Sequence, residues 1–166
     1  MQVCANPSNP TYNHCLFETL AIVMKSTLAA APSTLPDFEA SLFPQFQFVL
    51  QNNVAEFLPY IFQLMAQLLN AAPAAGVSGL TDSYKSLLGP LLTDSLWGSS
   101  GNVPALTTLM QAYARVGMAD IVALGKFMAL LGVWQKLLST KNQEEYAFSL
   151  LDAISTCHAT RAREAH

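Results

Sequence analysis

The residues best equipped for chemistry in this chain of 166 are three histidines and three cysteines: His14, His158, His166, Cys4, Cys15 and Cys157. Metal binding would need several of them on one face. His14-Cys15 and Cys157-His158 are adjacent in sequence, and adjacent residues on a helix point about 100° apart. The spacings that converge on an ion, HxxxH, HExxH and CxxC, are absent. A Cys157–His14 nucleophile pair would require two distant helices to meet, which an array of stacked repeats does not allow. Packed thiols and surface or terminal histidines are the expected roles. Three cysteines without a CxxC also argue against a disulfide framework and for a reducing compartment.

Other chemistries fare no better. A serine hydrolase needs GxSxG at a strand–turn–helix, and the nearest string, Gly76-Val77-Ser78-Gly79, does not match. Gly125-Lys126 lacks the glycine five residues earlier that a phosphate-binding loop requires, because Asp120 stands there. Glu144-Glu145 is a carboxylate pair, but two acids at a helix start complement the helix dipole. The expectation is a protein that is not an enzyme, with no metal and no cofactor.

Recognition through a surface remains, and that depends on the elements that carry it. Helical periodicity dominates and predicts an all-α chain, with seven helices at about 12–31, 35–51, 54–70, 82–96, 102–116, 120–139 and 142–157. Pro32–Pro36, Ala71–Leu80 and Gly98–Gly101 supply turn chemistry. Leu42-Phe43-Pro44, Leu88-Gly89-Pro90 and Leu130-Leu131-Gly132 each open the second half of a helix. Six residues beyond each triplet come Leu50, Leu96 and Leu138, in steps of 46 and 42 residues. HEAT and armadillo repeats have periods of about 40–47 residues. The pattern predicts an α-solenoid of HEAT repeats over residues 1–166: one preceding helix, then pairs at about 35–70, 82–116 and 120–157. It begins in mid-repeat and shows no polar cap at either end, so it reads as a segment of a longer array. Apolar faces left bare at the ends would pair end to end.

In such pairs the second helix lines the concave side. Here those helices carry polar stripes: Glu56/Gln63/Gln67/Asn70, Thr108/Gln111/Arg115 and Glu145/Ser149/Asp152/Thr156. The candidates for partner binding are Glu56, Gln63, Gln67, Gln111, Arg115, Glu145 and Asp152. The competing reading for any one of them is an ordinary solvated face. The aromatics, Phe43, Phe46, Phe48, Phe57, Tyr60, Phe62, Trp97 and Trp134, sit mostly at helical spacings and read as core between helices.

Composition narrows the partners. Hydrophobic residues make up 52% and charged residues 11%, against roughly 25% charged in an ordinary domain. Phe57 to Thr81 holds no charge, which is long enough for a membrane span. Pro59, Gln63, Gln67, Asn70, Pro73, Gly76 and Gly79 interrupt it, and the polar members share one helix face. The segment is amphipathic, and no membrane is expected. The opening residues lack the basic and apolar regions of a secretory signal. Net charge is −3, and neither half has the basic stripe that phosphate neutralisation needs, so no nucleic acid is expected.

Several strings carry a family resemblance. Asn6 to His14 followed by Leu16-Phe17-Glu18, Leu50 to Gln63, Leu96-Trp97, Gly101 to Leu106 with Leu109, Gln111, Ala112 and Arg115, and Leu130 to Leu138 resemble the importin-alpha re-exporter family. That family is also called CAS or cellular apoptosis susceptibility. The likeness covers roughly residues 3–155. It implies an exportin of the karyopherin-beta superfamily that binds importin-alpha cooperatively with Ran-GTP in the nucleus and releases both in the cytoplasm. The chain would be an internal fragment, from the middle to later part of such a receptor. Ala71–Thr81 and Val116–Met128 depart from the family pattern. The matched strings are packing motifs, so the resemblance assigns no contact residue. A self-contained HEAT scaffold unrelated to transport is the alternative.

Overall fold

In the computed structural model, which describes residues 9–164 and the side chains of residues 9–157, prolines set where helices begin. Pro10, Pro36, Pro59 and Pro104 each occupy the first turn of a helix, where a missing N–H costs nothing and the fixed φ favours helix entry. Every regular element among the described residues is helical, as expected. None of these helices is long and apolar enough to cross a membrane. The chain divides into two compact units, Met1–Val77 and Ser78–His166.

The first unit holds α1 (Pro10–Ala30), α2 (Leu35–Gln51) and α3 (Leu58–Ala71), with single 3-10 turns at Pro32–Thr34 and Pro73–Ala75. Asn9 caps α1 by accepting the Tyr12 N–H on its side-chain oxygen at 3.2 Å. Phe17, Met24 and Leu28 recur on one buried face of α1. Leu42, Phe43, Phe46 and Val49 do the same on α2. Helix α3 is buried most fully, along Leu58, Ile61, Phe62, Leu64, Met65, Leu68 and Leu69, because it packs on both α1 and α2. Phe17 stacks on Tyr60 with ring centres 4.8 Å apart and leans on Phe57 at 5.3 Å.

The second unit holds α4 (Asp82–Leu91), the single-turn α5 (Asp94–Trp97), α6 (Val103–Ala123), α7 (Phe127–Ser139) and α8 (Glu144–Glu164). Helix α8 packs on α6 and on α7. Leu106, Leu109, Met110, Ile121, Leu130, Leu137 and Leu150 are buried here. Two aromatic side chains donate to backbone carbonyls of α4. The Trp97 indole donates to the Leu91 carbonyl at 2.9 Å, and the Tyr113 hydroxyl donates to the Tyr84 carbonyl at 3.0 Å. Burial pushes the Tyr113 phenol far up from its usual range, so it remains a donor.

Three helix boundaries differ from the sequence expectation. Helix α3 starts at Leu58 instead of 54, which puts Pro59 in its first turn, where a missing N–H costs nothing, whereas Pro44 is carried inside α2. The helix expected over 82–96 breaks after Leu91. Pro90 has no N–H to donate, and the end is closed by short bonds from Leu92 N–H to Gly89 O and from Thr93 N–H to Pro90 O, at 3.2 and 3.3 Å. The break expected between 116 and 120 is a kink at Gly117, whose φ of −138° and ψ of 33° are non-helical, and the helical run beyond it is short. Helix α6 runs on to Ala123 and stops at the left-handed Gly125. There the Lys126 N–H reaches the Ile121 carbonyl and the Gly125 N–H reaches Val122, both at 2.9 Å.

Candidate protein-binding grooves

In each unit a groove with polar side chains on its rim lies between the same kind of elements: the two helices expected to line a concave face. In the first unit the groove holds about 400 Å³ between α1 and α3. Lys25, Leu28 and Ala29 contribute one wall at helical spacings, and Gln67, Asn70 and Ala71 the other, with Ala74 beyond. The small alanines leave the space open. Gln67 Oε1 is buried there without a hydrogen-bond partner among the described residues.

In the second unit a groove of about 190 Å³ runs between α6 and α8, lined by Gln111, Arg115, Ser149, Asp152, Ala153 and Thr156. Gln111 and Arg115 are four residues apart, so they stand one turn above each other on the same face. Ser149, Asp152 and Thr156 repeat the arrangement on α8. The Gln111 amide ties the two helices together by donating to the Ser149 carbonyl at 3.0 Å and to the Ser149 hydroxyl. Arg115 and Asp152 are both exposed and, among the described residues, do not pair with each other. Next to them, burial pushes the Cys157 thiol up, against the smaller opposing pull of the Arg115 charge. This groove therefore presents a guanidinium and a carboxylate to whatever enters it, over a small apolar floor. Such an arrangement can recognise a polypeptide by charge and hydrogen bonding.

Of the seven candidates, Gln111, Arg115 and Asp152 come together in one groove and Gln67 lines the other. Gln63 is exposed on α3 outside the groove, and Glu145 is exposed in the first turn of α8. Glu56 does not lie on a helical stripe, because α3 begins after it; it sits exposed in the preceding turn. Lys25 was missed. Its signal was available, since it is the one base of the first 83 residues and stands three residues before Leu28 on α1.

The residues considered for metal chemistry find other roles where they are described. His14 Nδ1 lies 3.0 Å from the Tyr60 hydroxyl, and Cys15 and Cys157 are free. Among the described residues no three metal-binding side chains gather. The side chains of Cys4, His158 and His166 lie outside the described residues.

Comparison with known proteins places this arrangement. The family described as "CAS/CSE protein, C-terminus" matches residues 1–165. The chain is 44% identical over 154 residues to Exportin-2 of Pagrus major, covering 92% of the chain and 15% of that protein. It is 40% identical over 156 residues to the importin-alpha re-exporter of Schizosaccharomyces pombe, with 93% and 16% covered. To Exportin-2 of Homo sapiens it is 39% identical over 156 residues, again with 93% and 16% covered. Its structure is similar to that of the exportin Cse1 in its cargo-free, cytoplasmic state, with a TM-score of 0.80 and 29% identity over 93% of this chain and 16% of that one. The chain thus spans about 15–16% of the length of these relatives.

Proposed function

This chain belongs to the CAS/CSE family, and from that premise we propose that it forms part of the partner-binding surface of a nuclear export receptor. The receptor would collect importin-alpha in the nucleus together with Ran in its GTP form and return it to the cytoplasm, shuttling between the two compartments. The observation that carries this reading is the alignment of 92–93% of the chain with proteins named Exportin-2 and importin-alpha re-exporter. In it, residues 1–166 are one stretch of HEAT repeats from a longer array. The polar stripes of the second helices are its contact positions, with Arg115 and Asp152 the charged pair that a cargo surface would engage.

The mechanism is a population shift. Cargo and Ran-GTP each favour one arrangement of the repeats, so each raises the affinity for the other by the same factor. GTP hydrolysis removes one of the two ligands and with it that favour. No bond is made or broken by the chain in this scheme.

The test is retention of importin-alpha by the full-length parent receptor in the presence of Ran locked in its GTP or GDP form. Retention with the GTP form alone is expected. An Arg115→Glu, Asp152→Arg charge exchange should then weaken retention by about tenfold, which is about 1.4 kcal/mol. Equal retention with both Ran forms would leave a scaffold without a transport cycle. Unchanged retention by the exchanged variant would move the contacts elsewhere.

A further inference from the structure

Residues 78–81 contain no helix, yet the second unit fastens them down in two ways. The Leu80 side chain, 5% exposed, fills a notch in α6 opened by Gly117. A Cβ at position 117 would come within 2.2 Å of Leu80 Cγ and within 2.9 Å of both its methyl carbons, so no residue but glycine leaves the notch free. The Leu80 N–H donates to Asp120 Oδ2 at 2.7 Å, one turn further along α6. Lys85 on α4 holds the other carboxylate oxygen of Asp120 at 3.2 Å. Gly79 makes the approach possible. Its φ of +80° is open to glycine at no cost, and a Cβ there would meet Asp120 Oδ2 at 2.8 Å. The backbone N–H of Leu80, aided by Lys85, holds the Asp120 carboxyl below its usual range, so the acceptor stays ionised.

The boundary between the two compact units falls just before this point, between Val77 and Ser78. We propose that Leu80, Gly117, Asp120 and Lys85 form a latch that sets the length of the connector joining the two units. With the latch closed, residues 79–81 belong to the second unit, and the connector runs only from Gly76, where the last 3-10 turn of the first unit ends, to Ser78. With it open, the connector continues to Leu80, while Thr81 stays with α4, its carbonyl accepting the Lys85 N–H at 3.0 Å. Two added residues extend its maximum reach by about 7 Å. Every latch contact comes from side chains and one backbone N–H, and no helix hydrogen bond has to break for the segment to leave. Asp120 and Lys85 also keep 23% and 35% of their side-chain surface exposed, which leaves the ion pair open to competition from solvent. The latch is therefore a local element that opens while α4 and α6 remain folded.

Amide hydrogen exchange read residue by residue on the chain tests this. The wild-type Leu80 amide should exchange far more slowly than an unstructured amide. Asp120→Ala should speed it by about tenfold or more, the factor expected for a lost hydrogen bond to a charged acceptor. The α6 amides of residues 106–113 should keep their wild-type rates. Gly117→Ala, which evicts Leu80 from the notch, should do the same, and it decides the matter if Asp120→Ala also exposes α6. A wild-type Leu80 amide already exchanging at the unstructured rate would overturn the latch. So would unchanged Leu80 exchange in both variants.

Discussion

Asp120 shows how much one side chain carries here. It is the nearest acid to Gly125-Lys126 in sequence and does nothing for phosphate; it receives a backbone N–H and an ammonium instead. Its folded pKa is lowered, first by the Leu80 N–H. It therefore contributes stability that is present above the unfolded value of about 3.9 and lost as pH falls through the folded value. Asp120→Asn should be less stable than wild type at pH 7 and should lose less further stability on acidification. Urea midpoints of both proteins at pH 7 and pH 3 check this, and equal losses would remove Asp120 from the acid response. Residue-scale roles of this kind were poorly legible in the sequence. Nothing in the spacing of Leu80, Lys85 and Asp120 says that they meet, because a loop brings them together. By contrast, the stripe of Gln111 with Arg115 and the stripe of Asp152 were each legible along its own helix, while their meeting across α6 and α8 was not.

Among the elements, proline and glycine decided where helices begin and end, and they were read with mixed success. Pro59 and Pro90 were visible, and proline's preference for a first turn points to a start at Leu58 and a shorter helix after Asp82, but Pro44 lies inside α2, so the preference alone does not decide. Two glycines punctuate α6. Gly117 kinks it where a break was expected, and Gly125 is the stop that was not expected. Periodicity cannot tell these cases apart, because the difference is a tertiary contact: Leu80 needs the space. Ala71–Thr81 and Val116–Met128, the two stretches expected to depart from the family pattern, touch each other at Leu80 and Gly117. Gly117→Ala sets two effects in opposition. Alanine leaves the unfolded chain less freedom than glycine, worth up to about 1 kcal/mol, while expelling a buried leucine costs about 1.5–3 kcal/mol. The net effect should be destabilising by about 1 kcal/mol in chemical denaturation. In a Leu80→Ala background the same substitution should cost nothing or stabilise; additive costs would mean that the two residues are not coupled.

For the whole molecule, composition and repeat spacing were enough to predict an all-α HEAT-repeat protein, and the likeness to Cse1 agrees. The division at Val77 was not legible, because the Ala/Gly-rich stretch that contains it reads as an ordinary turn. That division makes the position of two large side chains useful. Trp97 and Trp134 are the chain's entire complement of tryptophan, and both fall in the second unit. Trp97 is 2% exposed, so its emission in the native state should be blue-shifted and should move to the red when its surroundings open. Intrinsic fluorescence therefore watches one half of the chain only, while far-ultraviolet circular dichroism counts helices in both. If the halves unfold as one, the two signals should share a single thermal midpoint. If the first unit melts ahead of the second, ellipticity should fall while the tryptophan spectrum stays native, and the gap in degrees between the midpoints measures how far folding of one half depends on the other.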